Sequence, residues 1–189
     1  MNRSKAINFM VKCAMLAAIA VVLMQFEIPV IPAFPFLKLD FSDVPALLGG
    51  FALGPIAGVV IEAFKVFLDM IVSGTVTAGV GEVANFLIGA SFVYPAALIY
   101  HKRKSFSFAL ISMLIATASM VIFGVLANYF ILAPLYGMAP EAIPAYIVGG
   151  ALPINLIKGA AISLVTLVSY KKLSPIIKKE NIMIRKKVA

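Results

Sequence analysis

Phe106–Ala133 is a run of 28 residues without an aspartate, glutamate, lysine or arginine. As a helix rising about 1.5 Å per residue, it is long enough to cross a hydrocarbon core about 30 Å thick. Such a run is solvated by lipid or by a large protein core, and the chain has only 189 residues with which to build one. Composition decides between the two. The chain is 62% hydrophobic and 13% charged, with mean hydropathy +1.06, against roughly 45–50% apolar and about 25% charged residues in soluble proteins. It therefore reads as an all-α polytopic membrane protein, which excludes a cytosolic enzyme, a disordered chain, a disulfide scaffold and a free nucleic-acid binder. Cys13 is the only cysteine, so it can form neither an internal disulfide nor a cysteine metal cluster. His101, beside Lys102, Arg103 and Lys104, reads as interfacial and not as a metal ligand.

The basic residues cluster in three places: Arg3, Lys5 and Lys12; Lys102, Arg103 and Lys104; and a tail with Lys171, Lys172, Lys178, Lys179, Arg185, Lys186 and Lys187. Only Lys38, Lys65 and Lys158 lie elsewhere. The positive-inside rule puts all three clusters on the cytoplasmic side, facing anionic lipid. Hydropathy marks spans at about 7–26, 79–100, 106–133 and 145–170. Ala18-Ile19-Ala20 resembles a signal-peptidase site, but Lys12 leaves too short an apolar stretch before it, so the first span is expected to be retained. Residues 43–72 are too long for one span and too short for two full ones. Charge parity requires an even number of crossings between the N-terminus and residues 102–104, so this segment is expected to cross twice, at about 43–53 and 55–72, with a tight turn at Gly54-Pro55. The expected topology is a single domain over 1–189: six transmembrane helices, N- and C-termini cytoplasmic, and a basic cytoplasmic tail at 171–189. The outer loops fall at about 27–42, 73–78 and 134–143.

Polar residues in the spans carry the functional information. Glu62, Lys65 and Asp69 share one face of the third span at i, i+3 and i+7. Glu82 and Asn85 lie in the fourth span, Asn128 in the fifth, and Asn155 and Lys158 in the sixth. Five ionisable residues facing lipid unpaired would cost on the order of 12–17 kcal/mol, so they must face inward and satisfy one another or a ligand. Counted along the helices, Lys65, Asn85 and Asn128 lie roughly 9–10 Å below the outer surface. Lys158 lies roughly 20 Å above the inner one. The counts converge on a polar layer in the outer half of the bundle, which predicts a pocket open to the outside.

The first outer loop, Ile28-Pro29-Val30-Ile31-Pro32-Ala33-Phe34-Pro35-Phe36-Leu37, carries prolines at spacing three and is expected to be extended. It is too apolar for water, and backbone without internal hydrogen bonds is tolerated at membrane depth only over protein. A lid across the mouth of the bundle meets both constraints; an interfacial anchor formed by Phe34 and Phe36 is the alternative. The polar layer contains amides, ammoniums and carboxylates but no arginine, which suits a neutral ligand with an apolar body and many donors and acceptors. No Walker A, H-E-x-x-H or G-x-S-x-G sequence is present, so no catalytic residue is assigned and an energy-consuming role would need a partner.

Leu39-Asp40-Phe41-Ser42-Asp43-Val44-Pro45 followed by Gly54-Pro55-Ile56-Ala57-Gly58 resembles the substrate-binding S components of energy-coupling factor (ECF) vitamin transporters, of the riboflavin-specific type. The Pro-rich loop, the Glu62/Lys65 pair, Asn85 in Gly81-Glu82-Val83-Ala84-Asn85, Asn128 and Asn155-Leu156-Ile157-Lys158 extend the likeness over nearly the whole chain. The resemblance implies a six-helix subunit of the bacterial plasma membrane that captures riboflavin from outside as a transported ligand, with no cofactor, no metal and no enzymatic activity. Leu39 and Asp40 with the first loop would close over the ligand. Asn85, Asn128, Asn155 and Lys158 would bond the polar edge of the isoalloxazine ring or the ribityl chain, and Glu62 and Lys65 the ribityl hydroxyls. Ala14 and Ala18 match the family's small-x-x-x-small motif for docking on a transmembrane coupling subunit, and such spacing allows close helix approach. Two ABC-type ATPases would drive reorientation of the S component, so this chain alone would bind without sustained transport. Other readings stay open: an S component for another small vitamin, a membrane enzyme using Glu62, Asp69 and Glu82, or a subunit whose polar layer serves packing alone.

Overall fold

The structure, a computed structural model, describes residues 3–186, with side chains described for residues 6–170. The side chains of Arg3, Lys5 and the basic tail at 171–189 lie outside the described residues. Helices α1 (Arg3–Met24), α2 (Asp43–Leu53), α3 (Pro55–Ser73), α4 (Val80–Lys102) and α5 (Phe106–Ala127) follow in order. Past α5 the helix continues through a π-helical turn, Asn128–Leu132, into α6 (Ala133–Leu135). The last helical segment is α7 (Ile143–Tyr146), a second π-helical turn at Ile147–Ala151, and α8 (Leu152–Lys186).

Among the described residues, four stretches are long and apolar enough to cross a membrane: Ala6–Met24, Val80–Lys102, Phe106–Leu135 and Ile143–Tyr170. The remaining two helices differ for physical reasons. Helix α2 has 11 residues, which is about 16 Å of rise. Helix α3 carries Glu62, Lys65 and Asp69 within its 19 residues. Between α2 and α3 the chain reverses at Gly54, whose φ of +120° and ψ of 164° fall in a region open essentially to glycine alone. Its N–H donates to the Gly50 carbonyl, closing α2, while Pro55 starts α3 where a missing N–H costs nothing.

Lipid offers no hydrophobic drive for helix association, so close packing of small residues must supply it. The interior follows that rule: Ala17, Ala46, Ala57, Ala96, Ala97, Ala109 and Ala116 are fully buried, with Phe51, Phe92, Met113 and Ile162 filling between them. Large side chains such as Met15, Phe67, Leu114 and Leu164 point outward. Helix α4 packs on α3 and α5, α5 on α8, and the short α2 lies inside against α1, α3, α4 and α8. At the α2–α3–α4 contact a Cβ on Gly58 would stand 2.5 Å from Val93 Cγ1 and 3.2 Å from both the Ala46 carbonyl oxygen and Gly50 Cα. Two of those neighbours are backbone and cannot swing away. Gly58→Ala is therefore expected to lower stability by about 1–3 kcal/mol, read as a lower thermal unfolding midpoint in detergent; an unchanged midpoint would show that α2 and α3 can part without cost.

The first loop is not the extended strap that its prolines suggest. Ile28–Pro29 (β1) pairs antiparallel with Lys38–Leu39 (β2), with Ile28 opposite Leu39 and Pro29 opposite Lys38. Between them run two consecutive tight turns, closed by Phe34 N–H to Ile31 C=O and Leu37 N–H to Phe34 C=O, both at 2.9 Å. Pro32 and Pro35 each stand second in their turn, where a φ fixed near −65° is already the turn's value. The same prolines thus fold the loop back on itself, and Glu27 and Lys38 tie its base at 2.5 Å.

Candidate functional site

Beneath this hairpin lies a cavity of about 260 Å³, at the small end of the roughly 300–1,000 Å³ typical of small-molecule sites. Phe36, Leu37 and Asp40 line it from the loop, Asn85 from α4, Asn128 from the first π-helical turn, and Asn155 and Lys158 from α8. Phe36 lies over it with Tyr136 (5.3 Å between ring centroids) and Tyr146 (5.9 Å), and Phe34 meets Tyr146 edge-on at 5.3 Å. Phe34 and Leu37 sit directly over Gly150, where a Cβ would come within 2.8 Å of the Phe34 ring. The loop is therefore seated against a glycine that leaves room for it.

Two amides face the cavity from places where the helices are locally widened. Ala133 N–H reaches back to the Asn128 carbonyl and Leu152 N–H to the Ile147 carbonyl, each five residues away. Pro134 and Pro153 each stand two residues past the end of these turns. A proline has no N–H to offer the carbonyl four residues before it, and the wider turn absorbs the mismatch. Asn128 Nδ2 donates to Gly124 C=O at 2.8 Å and Asn155 Nδ2 to Ala151 C=O at 2.7 Å, so both side chains fold back on their own helices. Each keeps one amide N–H beyond these bonds. A Cβ on Gly124 would lie 2.5 Å from the Asn155 amide, so glycine is what admits that side chain.

Next to the amides is a chain of five charged groups. Lys158 Nζ lies 2.8 Å from Asp40 Oδ2 and 3.6 Å from Asp43 Oδ2. Asp43, at the first turn of α2 where the helix dipole favours an anion, also accepts from Lys65, and Lys65 Nζ lies 2.6 Å from Glu62 Oε2. Asp40 additionally accepts the Ser42 N–H at 2.8 Å. Burial disfavours the Asp40 carboxylate, yet the Lys158 ammonium beside it holds the group below the usual carboxylate range.

The structure places Asp40, Asn85, Asn128, Asn155 and Lys158 in the lining of one cavity. It places Glu62 and Lys65 elsewhere. Both are 0% exposed and engaged with each other and with Asp43, so the ribityl contacts expected of them have no open path. Leu39 is buried within the β ribbon, its backbone paired to Ile28. Asp69 accepts from Gln25 (2.8 Å) and Ser73 (2.9 Å), and Glu82 accepts from Thr77 (2.7 Å), so the three carboxylates of the enzyme reading do not converge. Ala14 and Ala18 are exposed on the outer face of α1, opposite the buried Cys13, Ala17 and Ala20. Tyr136, which lines the cavity, and Asp43 and Tyr146, which stand behind Lys158 and Asn128, are the residues to which sequence reasoning gave no role in the site.

A bundle of membrane helices holding a polar cavity under an aromatic hairpin has the form of a small-molecule-binding membrane subunit. Residues 8–170 match the family described as the ECF transporter, substrate-specific component. The chain belongs to that family, one of transporters and not of enzymes. It is 39% identical over 192 residues to the riboflavin transporter RibU of Staphylococcus aureus (strain TCH60), covering 95% of this chain and 100% of that protein. To the riboflavin transporter FmnP of Bacillus subtilis (strain 168) it is 37% identical over 181 residues, 91% of this chain and 95% of that one. A solved structure described as the S component of a bacterial ECF transporter superposes with a TM-score of 0.77 at 40% identity, covering 90% of this chain and 98% of the other.

Proposed function

We propose that this chain is the riboflavin-binding S component of an ECF uptake transporter in the bacterial cell membrane. The observation that carries the reading is that Asn85, Asn128, Asn155 and Lys158 line one cavity under the first loop. Amides and an ammonium suit a neutral ring edge of carbonyls and ring nitrogens, and Phe36, Ile88, Met120 and Leu132 supply apolar surface for the ring body. The chain's similarity to two proteins named as riboflavin transporters supports the same ligand. In this reading the chain makes six crossings with both termini cytoplasmic, α2 and α3 forming a shortened pair enclosed by the longer helices. The hairpin at 27–42 acts as the lid, opening to admit riboflavin and contributing Asp40 and the Leu39 backbone when closed. Glu62 and Lys65, with Asp43, hold the floor and do not touch the ligand.

Titration of detergent-purified protein with riboflavin tests the reading: one-to-one quenching of flavin fluorescence at sub-micromolar affinity is expected. Protein that neither carries nor quenches flavin would remove riboflavin and reopen the choice among small vitamins.

Energy would come from partners, a transmembrane coupling subunit and two ABC-type ATPases. The outward line of Ala14 and Ala18 supports docking of α1 on the coupling subunit, since small residues four apart let backbones approach. Ala14→Leu should leave riboflavin affinity unchanged and lower uptake by cells carrying the assembled transporter. Undiminished uptake would place the docking surface elsewhere.

A further inference from the structure

Tyr146 is 2% exposed and ends α7, one residue before the second π-helical turn. Its hydroxyl donates to Asn128 Oδ1, while Asn128 Nδ2 donates to the Gly124 carbonyl at 2.8 Å. An asparagine amide can present either end when it rotates by half a turn, so its role at a cavity depends on what holds it. Here a carbonyl, which can only accept, faces the nitrogen, and a phenol O–H faces the oxygen. The flipped amide would set Oδ1 against the Gly124 oxygen. One orientation satisfies both neighbours, and in it Tyr146 takes one lone pair of Oδ1 while Nδ2 keeps one N–H for the cavity.

The same ring also bears on the loop. Tyr146 meets Phe34 edge-on at 5.3 Å and Phe36 at 5.9 Å between centroids. Its hydroxyl end therefore holds the amide while its ring supports the closed hairpin.

We propose that Tyr146 is a positioning residue that fixes the orientation of the Asn128 amide, so that its free N–H serves the cavity and the site selects a ligand with an acceptor at that point. The inference rests on the riboflavin reading and adds to it the polarity of one contact. Asn155, by contrast, has its nitrogen bonded to Ala151, and among the described residues no donor meets its oxygen, so it can accept. A donor at Asn128 and an acceptor at Asn155, both lining the cavity, suit a ligand edge on which a carbonyl adjoins an N–H, as in the imide of an isoalloxazine.

The test is a double-mutant cycle on the full-length chain in detergent, read by riboflavin titration. Tyr146→Phe keeps the ring and its contacts with Phe34 and Phe36 but removes the hydroxyl. It is expected to weaken riboflavin about tenfold, the scale of a buried acceptor left without its partner. In an Asn128→Ala background the same change should produce no further loss, because Tyr146 acts through the amide. Losses that multiply, or a Tyr146→Phe variant that binds like the wild type, would overturn the proposal. Asn128→Asp gives a second, independent check. It keeps an oxygen for Tyr146 but offers the cavity no N–H, so it should bind at least tenfold more weakly, and wild-type affinity there would equally overturn the donor assignment. A wild-type chain that binds no riboflavin withdraws the flavin reading and this inference with it. A wild type that binds, with both Tyr146→Phe and Asn128→Asp at full affinity, withdraws only the inference.

Discussion

Lys65→Met is expected to destabilise the bundle by about 3–5 kcal/mol, the largest loss of stability that any single side chain in this structure should cause. The ammonium is fully buried between Asp43 and Glu62, two carboxylates that come from different helices and are themselves 1% and 0% exposed. Methionine has about the right length and no charge, so packing is nearly conserved while both acids lose their shared cation. Breaking a buried ion pair from one side leaves uncompensated charge in low dielectric, which is far worse than never having built the pair. The opposite face of the network should respond differently. Asp40, Asp43 and Glu62 supply three carboxylates against the two ammoniums of Lys65 and Lys158, so Glu62→Gln removes the surplus charge and keeps the shape. It should cost much less than Lys65→Met, on the scale of one hydrogen bond, about 1 kcal/mol. Thermal unfolding of ligand-free protein in detergent measures both. A Lys65→Met variant as stable as the parent, or a Glu62→Gln variant just as damaged, would show that the cluster is not balanced in this way.

This network also marks how far the sequence could be read. The apolar stretches around α4, α5 and α8, and the break at Gly54 between α2 and α3, are visible in composition because lipid solvation and a glycine-only backbone angle each act locally. The i, i+3 spacing of Glu62 and Lys65 shows that they share a helix face, and the structure pairs them. Which groups close the circuit is not local. Asp43 belongs to a different helix, and Asp40 meets Lys158 across 118 residues of chain. Periodicity says which way a side chain points within its helix but not what stands opposite. Asp43 was therefore legible only as the start of an apolar segment and a member of the Leu39–Pro45 motif, although it is the residue that joins both lysines. Proline misled in a definable way, because spacing three is shared by an extended strap and by two successive turns with proline second in each. The same residue type in Pro134 and Pro153 foreshadowed the widened turns that present Asn128 and Asn155. Tyr146 carried no such signal: a lone tyrosine near a helix start becomes informative only when the amide it bonds is in view.

Lys158→Ala is expected to weaken riboflavin binding tenfold or more, and it tests two roles that the structure combines in one ammonium. Lys158 lines the cavity and also bonds Asp40, the residue through which the first loop is fastened to α8. Losing the ammonium removes a donor from the cavity and leaves a buried carboxylate without its partner, and a buried group stranded in this way costs roughly 1–3 kcal/mol. Asp40→Asn separates the two contributions. An asparagine oxygen can still accept from Lys158, so the cavity keeps its donor while the tether loses its charge. If Lys158 contacts riboflavin, Lys158→Ala should be much the weaker binder of the two, while amide exchange over residues 27–42 should quicken in both. If it serves only to fasten the loop, the two variants should lose affinity together and in proportion to that exchange. Wild-type affinity in Lys158→Ala would remove the residue from the site altogether and leave Asn85, Asn128 and Asn155 as its polar wall. The roles can be told apart because the tether is a charge pair and the ligand contact needs only a donor, so each fails under a different substitution.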